Sequence, residues 1–338
     1  YKHPGFSKRV FITMYYGYRW FRIMFFYIMI HIVEEGLTMY IGIYGFGAIG
    51  KLIAKYAIER GYEVVGVVDI DQSMIGRDIG ELLGFEEKYG VEVSSEVSIL
   101  GDADVVFHAT GSYLDKVYPQ LKELIELGVD ILSTCETLAY PYHRYPVLAR
   151  KLDEYAKLYS TTLLGTGINP GFIMDTLVIT LSTPFTSIKR IHAVRSLDAG
   201  KRRIPFRRKI GVGDKPEIVR EKMEKGELTG HVGYAESVYL MADDLDLELT
   251  RVKEYQDVLI AEQPIATNDI IVERGLVKGI KGYGIGYYGD QEVIRLELYA
   301  YVGAEDYEEI TIEGREYTVK WRSTGTPGDQ GTVAVLLN

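Results

Sequence analysis

The sequence predicts an α/β protein in which a doubly wound parallel sheet is followed by an α+β domain with a mostly antiparallel sheet. Between residues 40 and 165, short apolar runs bounded by turn signals alternate with stretches of helical period, as in parallel sheets buried on both faces. A glycine-rich turn joins the first of these runs to the first helix. After residue 187, longer segments alternate apolar and polar residues, which is typical of half-exposed antiparallel strands.

The first strand, the first helix and the second strand together form a nucleotide-binding fingerprint. The segment Tyr40–Asp69 contains a GxGxxG turn, whose residues are predicted to contact a dinucleotide: Gly45, Phe46, Gly47, Ala48, Ile49 and Gly50. Its three glycines permit a tight turn, let backbone N–H groups approach a pyrophosphate, and let the helix pack closely on the strand. The segment therefore predicts a Rossmann-type domain; a glycine-rich turn in another α/β fold is the alternative.

The second strand ends on an acid that bears on the choice of cofactor. Asp69 lies 19 residues after Gly50, where a carboxylate suits the ribose 2′-hydroxyl of NAD and disfavours the 2′-phosphate of NADP. Arg77, nearby in sequence, is a residue type that accommodates such a phosphate. The predicted cofactor is therefore NAD or NADP, with NAD favoured.

Composition narrows the classes of partner. A net charge of −10 argues against nucleic acid or an anionic membrane as the main partner. The single cysteine, Cys135, excludes an intramolecular disulfide and a cysteine-based metal cluster, which fits a reducing, cytoplasmic location. No group of His, Cys and Asp residues has metal-ligand spacing, so no metal site is predicted.

The first 38 residues differ from the rest of the chain. They carry five basic and two acidic residues, and Met39 stands directly before the first strand. Their apolar run is short for a membrane-spanning helix and no small-residue cleavage site follows it, so membrane targeting is the less favoured alternative. We interpret residues 1–38 as a leader outside the fold. The other predicted units are a dinucleotide-binding domain at 39–165, a substrate and dimerisation domain at 166–325, and the start of a helix at 326–338 that returns to the first domain.

The ends of the later strands are predicted to complete the cofactor edge of the sheet, because ligands bind beyond the carboxyl ends of parallel strands. A strand at Val105–Ala109 leads to Thr110 and Gly111, and a strand at Asp130–Ser133 leads to Cys135 and Glu136. Asn169 followed by Pro170 predicts a helix start with Asn169 as its N-cap. We expect Asn169 also to contact nicotinamide or substrate; capping alone is the alternative.

The second domain is predicted from five alternating segments that read as strands. These segments are IKRIHAVRSL, SVYLMADDLDLELTRV, DIIVERGLVKGIKGYGIGYYG, EVIRLELYAYVG and YEEITIEG. An exposed sheet face is commonly covered by another subunit, so a homodimer is predicted.

Several separated motifs resemble one enzyme family. Cys135–Pro141 reads CETLAYP, Gly165–Asp175 reads GTGINPGFIMD, Gly230–Gly233 reads GHVG, and Gly328-Asp329 precedes a small-residue helix. In this order the motifs resemble those of 2,4-diaminopentanoate dehydrogenases and native amine dehydrogenases, which are built like dihydrodipicolinate reductase. The likeness covers about residues 39–338. Thr137 is a departure, because the family commonly has a second acid there.

The resemblance implies NAD(P)-dependent oxidative deamination of a small amine or diamino acid, with 2,4-diaminopentanoate, converted to 2-amino-4-oxopentanoate and ammonia, as the favoured substrate. It implies that Glu136 takes the proton of the reacting amine, with a loop or helix-capping acid as the alternative. His231 is expected to orient the substrate or to support Glu136, and Asn169 completes the predicted catalytic set. One basic stretch offers candidates for binding a substrate carboxylate, although charge runs are usually solvated: Arg195, Lys201, Arg202, Arg203, Arg207, Arg208 and Lys209.

Two other functions stay open on the sequence. A dihydrodipicolinate reductase-like imine reductase has the same architecture, but its paired histidines and DAPSGT-like stretch are missing from IHAVRSLDAGKRRIPF. A non-catalytic NAD(P)-binding sensor is the alternative from another class, and the acid at position 136 argues against it.

Overall fold

The structure, a computed structural model, describes residues 38–267 and 269–338. The predicted leader, apart from Thr38, lies outside these residues. Within the described ranges, no helix combines the length and the apolar character that a crossing of a lipid bilayer requires.

The first sheet has six parallel strands, which confirms the predicted doubly wound sheet. Its strands are β1 (Tyr40–Tyr44), β2 (Glu63–Val68), β3 (Val93–Ser94), β4 (Val105–His108), β5 (Asp130–Ser133) and β6 (Leu163–Gly165). The spatial order is β3-β2-β1-β4-β5-β6, so the order reverses between β1 and β4. Ligands of doubly wound sheets bind at such a switch point.

Five helices follow the strands of this sheet in the chain. They are α1 (Ala48–Glu59), α2 (Ile79–Leu83), α3 (Leu114–Glu126), α4 (Pro141–Arg144) and α5 (Pro146–Tyr159). Helix α3 shows why these segments are helical, because its apolar residues recur at helical spacing and all become buried. Leu114, Leu121 and Ile125 are among them, and they pack in one core with Val106 and Ile131 of the sheet.

The second sheet has six strands of which only the β7–β12 pair is parallel, so the predicted mostly antiparallel sheet is confirmed. Its spatial order is β14-β13-β7-β12-β11-β8. The strands from here on are β7 (Ile188–Asp198), β8 (Arg251–Ile260), the short pair β9 (Ile265–Ala266) and β10 (Ile271–Val272), β11 (Val277–Tyr288), β12 (Gln291–Tyr301), β13 (Tyr307–Gly314) and β14 (Thr318–Ser323).

The remaining helices are α6 (Thr176–Ser182), α7 (Ile204–Lys209), α8 (Pro216–Glu224), α9 (Tyr234–Asp244) and α10 (Asp329–Leu337). Helices α6 and α9 pack on one face of the second sheet, where Val178, Val238 and Met241 share a core with Ile191 and Ile294. Helix α10 contacts α1 of the first sheet, and the Arg60 guanidinium donates a hydrogen bond of 2.9 Å to the Leu337 carbonyl.

In this half of the chain, one predicted strand is wrong and one observed strand was not predicted. Half of the segment predicted as a strand from Ser237 onward, residues 237–244, belongs to helix α9, whose buried residues Tyr234, Val238 and Met241 recur at helical spacing. Apolar residues on both sides of that helix imitate the alternation of a strand. Strand β14 has no counterpart among the predicted segments.

The helix predicted to begin at Asn169 begins at Thr176 instead. Its N-cap is Asp175, whose carboxylate accepts hydrogen bonds from the backbone N–H groups of Thr176 and Gly171. Residues 169–175 form turns that lead into it. The Asn-Pro pair is thus a turn signal here, and the acid that caps the first N–H group of the helix lies six residues further on.

Candidate active site

The glycine turn between β1 and α1 has the shape that a dinucleotide requires. Gly45 has φ +96°, and a Cβ there would lie 2.7 Å from the Ala109 carbonyl oxygen. A Cβ on Gly50 would lie 1.9 Å from the Gly45 oxygen. Around Gly47, by contrast, a Cβ would meet no atom within 4 Å, and no side chain caps helix α1. The turn therefore offers open space and an uncapped helix N-terminus, which suit a pyrophosphate.

Asp69, directly after β2, is hydrogen-bonded to this turn. Its carboxylate accepts hydrogen bonds from the backbone N–H groups of Phe46, at 2.5 Å, and Asp71, at 2.9 Å. The Phe46 ring is fully buried, whereas Gly47 and Ala48 are exposed and Ile49 is half-buried. A carboxylate has about four acceptor positions, so Asp69 keeps capacity for a ribose hydroxyl.

Thr110 is held at the end of β4 by a buried histidine. The Thr110 hydroxyl lies 2.9 Å from Nε2 of His108 and donates to Gln120 at 2.6 Å, and His108 Nδ1 lies 2.8 Å from the Ser133 hydroxyl. Burial lowers the pKa of His108 to about 4, so this imidazole is neutral at pH 7. Gly111 follows on the same loop. Through this network, the predicted residue Thr110 is linked to His108, Gln120 and Ser133, which sequence patterns did not single out.

Cys135 and Glu136 follow β5 but differ in environment. Cys135 is buried, and burial raises the pKa of its thiol to about 12, so it stays protonated. Glu136 begins a 3₁₀ turn and is only half-buried, with 23% of its side chain exposed. Thr137, the departure from the family pattern, is buried, and its hydroxyl accepts a hydrogen bond from the Leu114 N–H at 2.8 Å. A threonine here thus anchors the first turn of α3.

Lys209 connects Glu136 to the second half of the chain. Its ammonium donates to the Glu136 carboxylate at 3.3 Å, and both side chains are half-buried. Lys209 was one of seven basic candidates, and its charge also acts on His231. Burial, with the nearby charges of Lys209 and Arg195, lowers the pKa of His231 to about 3. His231 is therefore a neutral imidazole at pH 7.

Most of the other basic candidates already have acidic partners. Arg195 is buried beside Glu308 at 3.3 Å, and burial lowers its pKa to about 10. Further ion pairs join Lys201 to Asp306, Arg203 to Asp329 and Arg207 to Asp269. Arg202 donates to the Thr326 carbonyl, and Arg208 is exposed. Among the seven, only Lys209 forms an ion pair with a predicted catalytic residue.

A cavity of about 220 Å³ has His231 in its wall. It is lined by Tyr113 and Arg144 from the first half of the chain and by His231, Tyr234, Glu254 and Gln256, among others, from the second. The backbone N–H of His231 donates to Gln256 at 3.0 Å, and its ring contacts Tyr234 edge-on. Tyr113 lies within electrostatic reach of both Glu136 and Glu254, and burial raises the pKa of its phenol.

Arg144 and Glu254 are functional candidates that sequence patterns missed. The Arg144 guanidinium donates to Glu236 at 2.6 Å and to Glu254 at 2.8 Å, which holds its pKa above the usual range. Arg144 ends the short helix α4, and Glu254 lies on β8, 110 residues away. The CETLAYP motif directly before α4 is the one sequence signal close to Arg144.

Asn169 is half-buried and makes a 3.5 Å contact from its amide nitrogen to the Met174 sulfur. It therefore stays a site prediction without a capping role. Among the described residues, no group of three or more His, Cys, Asp or Glu side chains is arranged to hold a metal ion.

Comparisons with known proteins bear on both halves of the chain. Residues 39–133 match the dihydrodipicolinate reductase N-terminus, and residues 172–338 match the 2,4-diaminopentanoate dehydrogenase C-terminal domain. The chain is 29% identical, over 315 residues, to 2,4-diaminopentanoate dehydrogenase of Acetoanaerobium sticklandii, covering 88% of this chain and 87% of that protein. The chain is thus similar to 2,4-diaminopentanoate dehydrogenase over most of its length, and its second half matches the C-terminal domain of that enzyme. It is accordingly an NAD(P)-dependent dehydrogenase that acts on amines.

Solved structures agree on the fold. An amine dehydrogenase from Mycobacterium smegmatis superposes with a TM-score of 0.78 at 22% identity, covering 89% of this chain and 91% of that one. GenD2 from gentamicin A biosynthesis, solved in complex with NAD, gives a TM-score of 0.53 at 14% identity, covering 84% of this chain and 72% of that one.

Proposed function

We propose that this chain oxidises 2,4-diaminopentanoate at C4, giving 2-amino-4-oxopentanoate and ammonia, with NAD as the preferred acceptor. One observation carries the proposal. The half-buried Glu136 carboxylate follows the carboxyl end of β5, pairs with Lys209 at 3.3 Å, and lies within electrostatic reach of Tyr113, which lines the cavity. The relative from Acetoanaerobium sticklandii, named for this substrate, covers nearly the whole chain.

The reaction requires a base beside the substrate amine. An ammonium has no lone pair to assist hydride departure, so Glu136 accepts a proton from the C4 ammonium before oxidation. The glycine turn at residues 45–50 and Asp69 would hold NAD, which would supply the acceptor for the hydride that leaves C4. Glu136 passes that proton to solvent and, again as a carboxylate, stabilises the positive charge of the iminium. Water then adds to the iminium carbon, and the resulting carbinolamine collapses to the ketone and ammonium.

Neighbouring residues position this base and the substrate. Lys209 holds the Glu136 carboxylate through its 3.3 Å hydrogen bond. His231, neutral because its pKa is lowered to about 3, serves as a hydrogen-bonding group rather than a proton donor for the reaction. Asn169, on the turn after β6, is proposed to contact nicotinamide or substrate, and Cys135 and Gly111 to line the cofactor edge.

The preference for NAD rests on Asp69 and Arg77. Asp69 keeps a carboxylate at the end of β2, which would repel a 2′-phosphate. Arg77 is engaged by Glu81 at 2.6 Å rather than standing free for a phosphate. We expect kcat/KM with NAD to exceed that with NADP, and Asp69→Ala to narrow the difference. A higher kcat/KM with NADP would contradict this assignment.

The test of the function is spectrophotometric. Purified protein mixed with NAD and 2,4-diaminopentanoate should form NADH. The Glu136→Gln variant should have a kcat lower by at least about a hundredfold, while it still binds NADH. Glu126→Gln removes an acid from an exposed ion pair on α3 and serves as the control, with activity near that of the native chain. Near-normal turnover by Glu136→Gln would rule out the base.

We also propose that the protein is a homodimer in the cytoplasm. One face of the second sheet carries half-buried or exposed aromatic residues on neighbouring strands: Tyr255, Tyr283, Tyr287, Tyr299 and Tyr301. Aromatic residues are enriched at protein interfaces. Sedimentation equilibrium should give twice the chain mass of 38.2 kDa if the whole chain is expressed, and a monomer at micromolar concentration would contradict the proposal.

A further inference from the structure

The charges around the cavity do not balance. Arg144 is its one positively charged lining residue among those described, and it faces two carboxylates, Glu236 and Glu254. His231 adds no charge, because its pKa is lowered to about 3. Glu236 is 1% exposed and lies behind Arg144, whereas the Glu254 side chain is 38% exposed and lines the cavity. The surplus negative charge is thus presented at Glu254.

Two hydrogen bonds hold the Glu254 carboxylate in place. Arg144 donates to one of its oxygens at 2.8 Å, and the backbone N–H of Ala235, in the first turn of α9, donates to the other at 3.3 Å. A carboxylate has about four acceptor positions, so acceptor positions remain for a ligand. Tyr234, another lining residue, is 4% exposed and its hydroxyl has no hydrogen-bond partner in the described structure.

Tyr113 lies within electrostatic reach of both Glu254 and the proposed base, Glu136. It lines the cavity, and the charges of both Glu136 and Glu254 act on its phenol. Two carboxylates, Glu136 and Glu254, thus lie within electrostatic reach of the same cavity-lining phenol. A molecule with two amino groups a few bonds apart matches that arrangement, because each ammonium can meet its own carboxylate.

We propose that Glu254, held by Arg144, binds the second, non-reacting ammonium of a diamine substrate, and so selects diamines over monoamines. This inference rests on the proposed function, in which Glu136 meets the reacting C4 nitrogen. For 2,4-diaminopentanoate, Glu254 binds the ammonium on C2. Arg144 is a positioning residue that aligns Glu254.

The test compares two ligands that differ only in the C2 amino group, 2,4-diaminopentanoate and 4-aminopentanoate. Calorimetry on the protein loaded with NADH should show tighter binding of the diamino acid by roughly ten- to hundredfold, the range of hydrogen bonds between charged groups. In Glu254→Gln the two ligands should bind about equally. Glu254→Asp, which keeps the charge, should retain part of the preference.

A matched control comes from the same strand. Asp257→Asn removes a carboxylate that pairs with Arg220 at 2.8 Å and does not itself line the cavity, so it should leave the preference unchanged. Equal binding of the two ligands by the native chain, or equal losses for both ligands in Glu254→Gln, would overturn the inference even if amines are oxidised. A preserved preference in binding, without NADH formation from any amine, would overturn the proposed function and leave the assignment of Glu254 standing.

Discussion

Two glycines of the β1–α1 turn should respond in opposite ways to the same substitution. A methyl group at position 47 meets no protein atom within 4 Å, and Gly47 has φ −68°, which alanine adopts readily. A methyl group at position 50 lies 1.9 Å from the Gly45 carbonyl oxygen, which belongs to backbone and cannot swing aside. Gly47→Ala therefore leaves the fold intact and occupies space reserved for the cofactor, whereas Gly50→Ala strains the fold itself.

The magnitudes follow from these contacts. Gly47→Ala should change the free energy of unfolding by less than about 1 kcal/mol, because the backbone conformation is compatible with alanine. It should weaken NADH binding roughly ten- to hundredfold, the equivalent of losing about 1.5–3 kcal/mol of hydrogen bonding to the charged pyrophosphate. Gly50→Ala should cost about 1–3 kcal/mol of stability, since the helix must move off the strand.

Urea denaturation of the cofactor-free protein and NADH fluorescence titration measure the two quantities separately. Gly101→Ala, at a surface turn with φ −65°, is the control and should alter neither. If Gly47→Ala binds NADH as tightly as the native chain, the pyrophosphate does not approach this turn. If Gly50→Ala is as stable as the native chain, the close packing of α1 on β1 is not needed for the fold.

Two further predictions concern stability. Arg195→Met should lower the free energy of unfolding by about 3 kcal/mol, because Glu308, which is 2% exposed, would lose its buried counter-charge. Arg322→Met, which breaks exposed ion pairs, should lower it by less than about 1 kcal/mol. Similar losses for the two variants in urea denaturation would contradict this prediction. Burial alone raises the pKa of Asp78, but hydrogen bonds from the N–H groups of Tyr89, Gly90 and Gly80 outweigh it and hold the pKa below its usual range. Asp78 therefore stabilises the fold above its unfolded-state pKa and loses that effect as pH falls through the folded-state value, so Asp78→Asn should destabilise the protein more at neutral pH than in acid.

The first half of the fold could be predicted well because its signals are local. The GxGxxG turn, the strand at Asp130–Ser133 and the helix Pro146–Tyr159 each combine periodicity with turn residues over a few positions. The helix at Tyr234–Asp244 was missed because its apolar residues lie on more than one side, which imitates strand alternation. The Asn-Pro pair at 169 led to a helix start that was predicted too early, since only the fold shows that Asp175 supplies the N-cap.

Only those site residues that directly follow a strand of the first sheet could be predicted from the sequence. Glu136 and Asp69 could be placed at the sheet edge because the carboxyl ends of parallel strands share that edge. Lys209 meets Glu136 across 73 residues of sequence, and Arg144 meets Glu254 across 110. Those encounters depend on how the second sheet packs beside the first, and no local pattern encodes that packing.

The most direct measurement is a crystal structure of the protein with NAD and 2,4-diaminopentanoate bound. We expect the Glu136 carboxylate to lie within hydrogen-bond reach of the C4 nitrogen, about 2.6–3.2 Å, with C4 facing the nicotinamide. A complex in which C4 faces the nicotinamide while its nitrogen contacts another residue would contradict the role of Glu136 as the base.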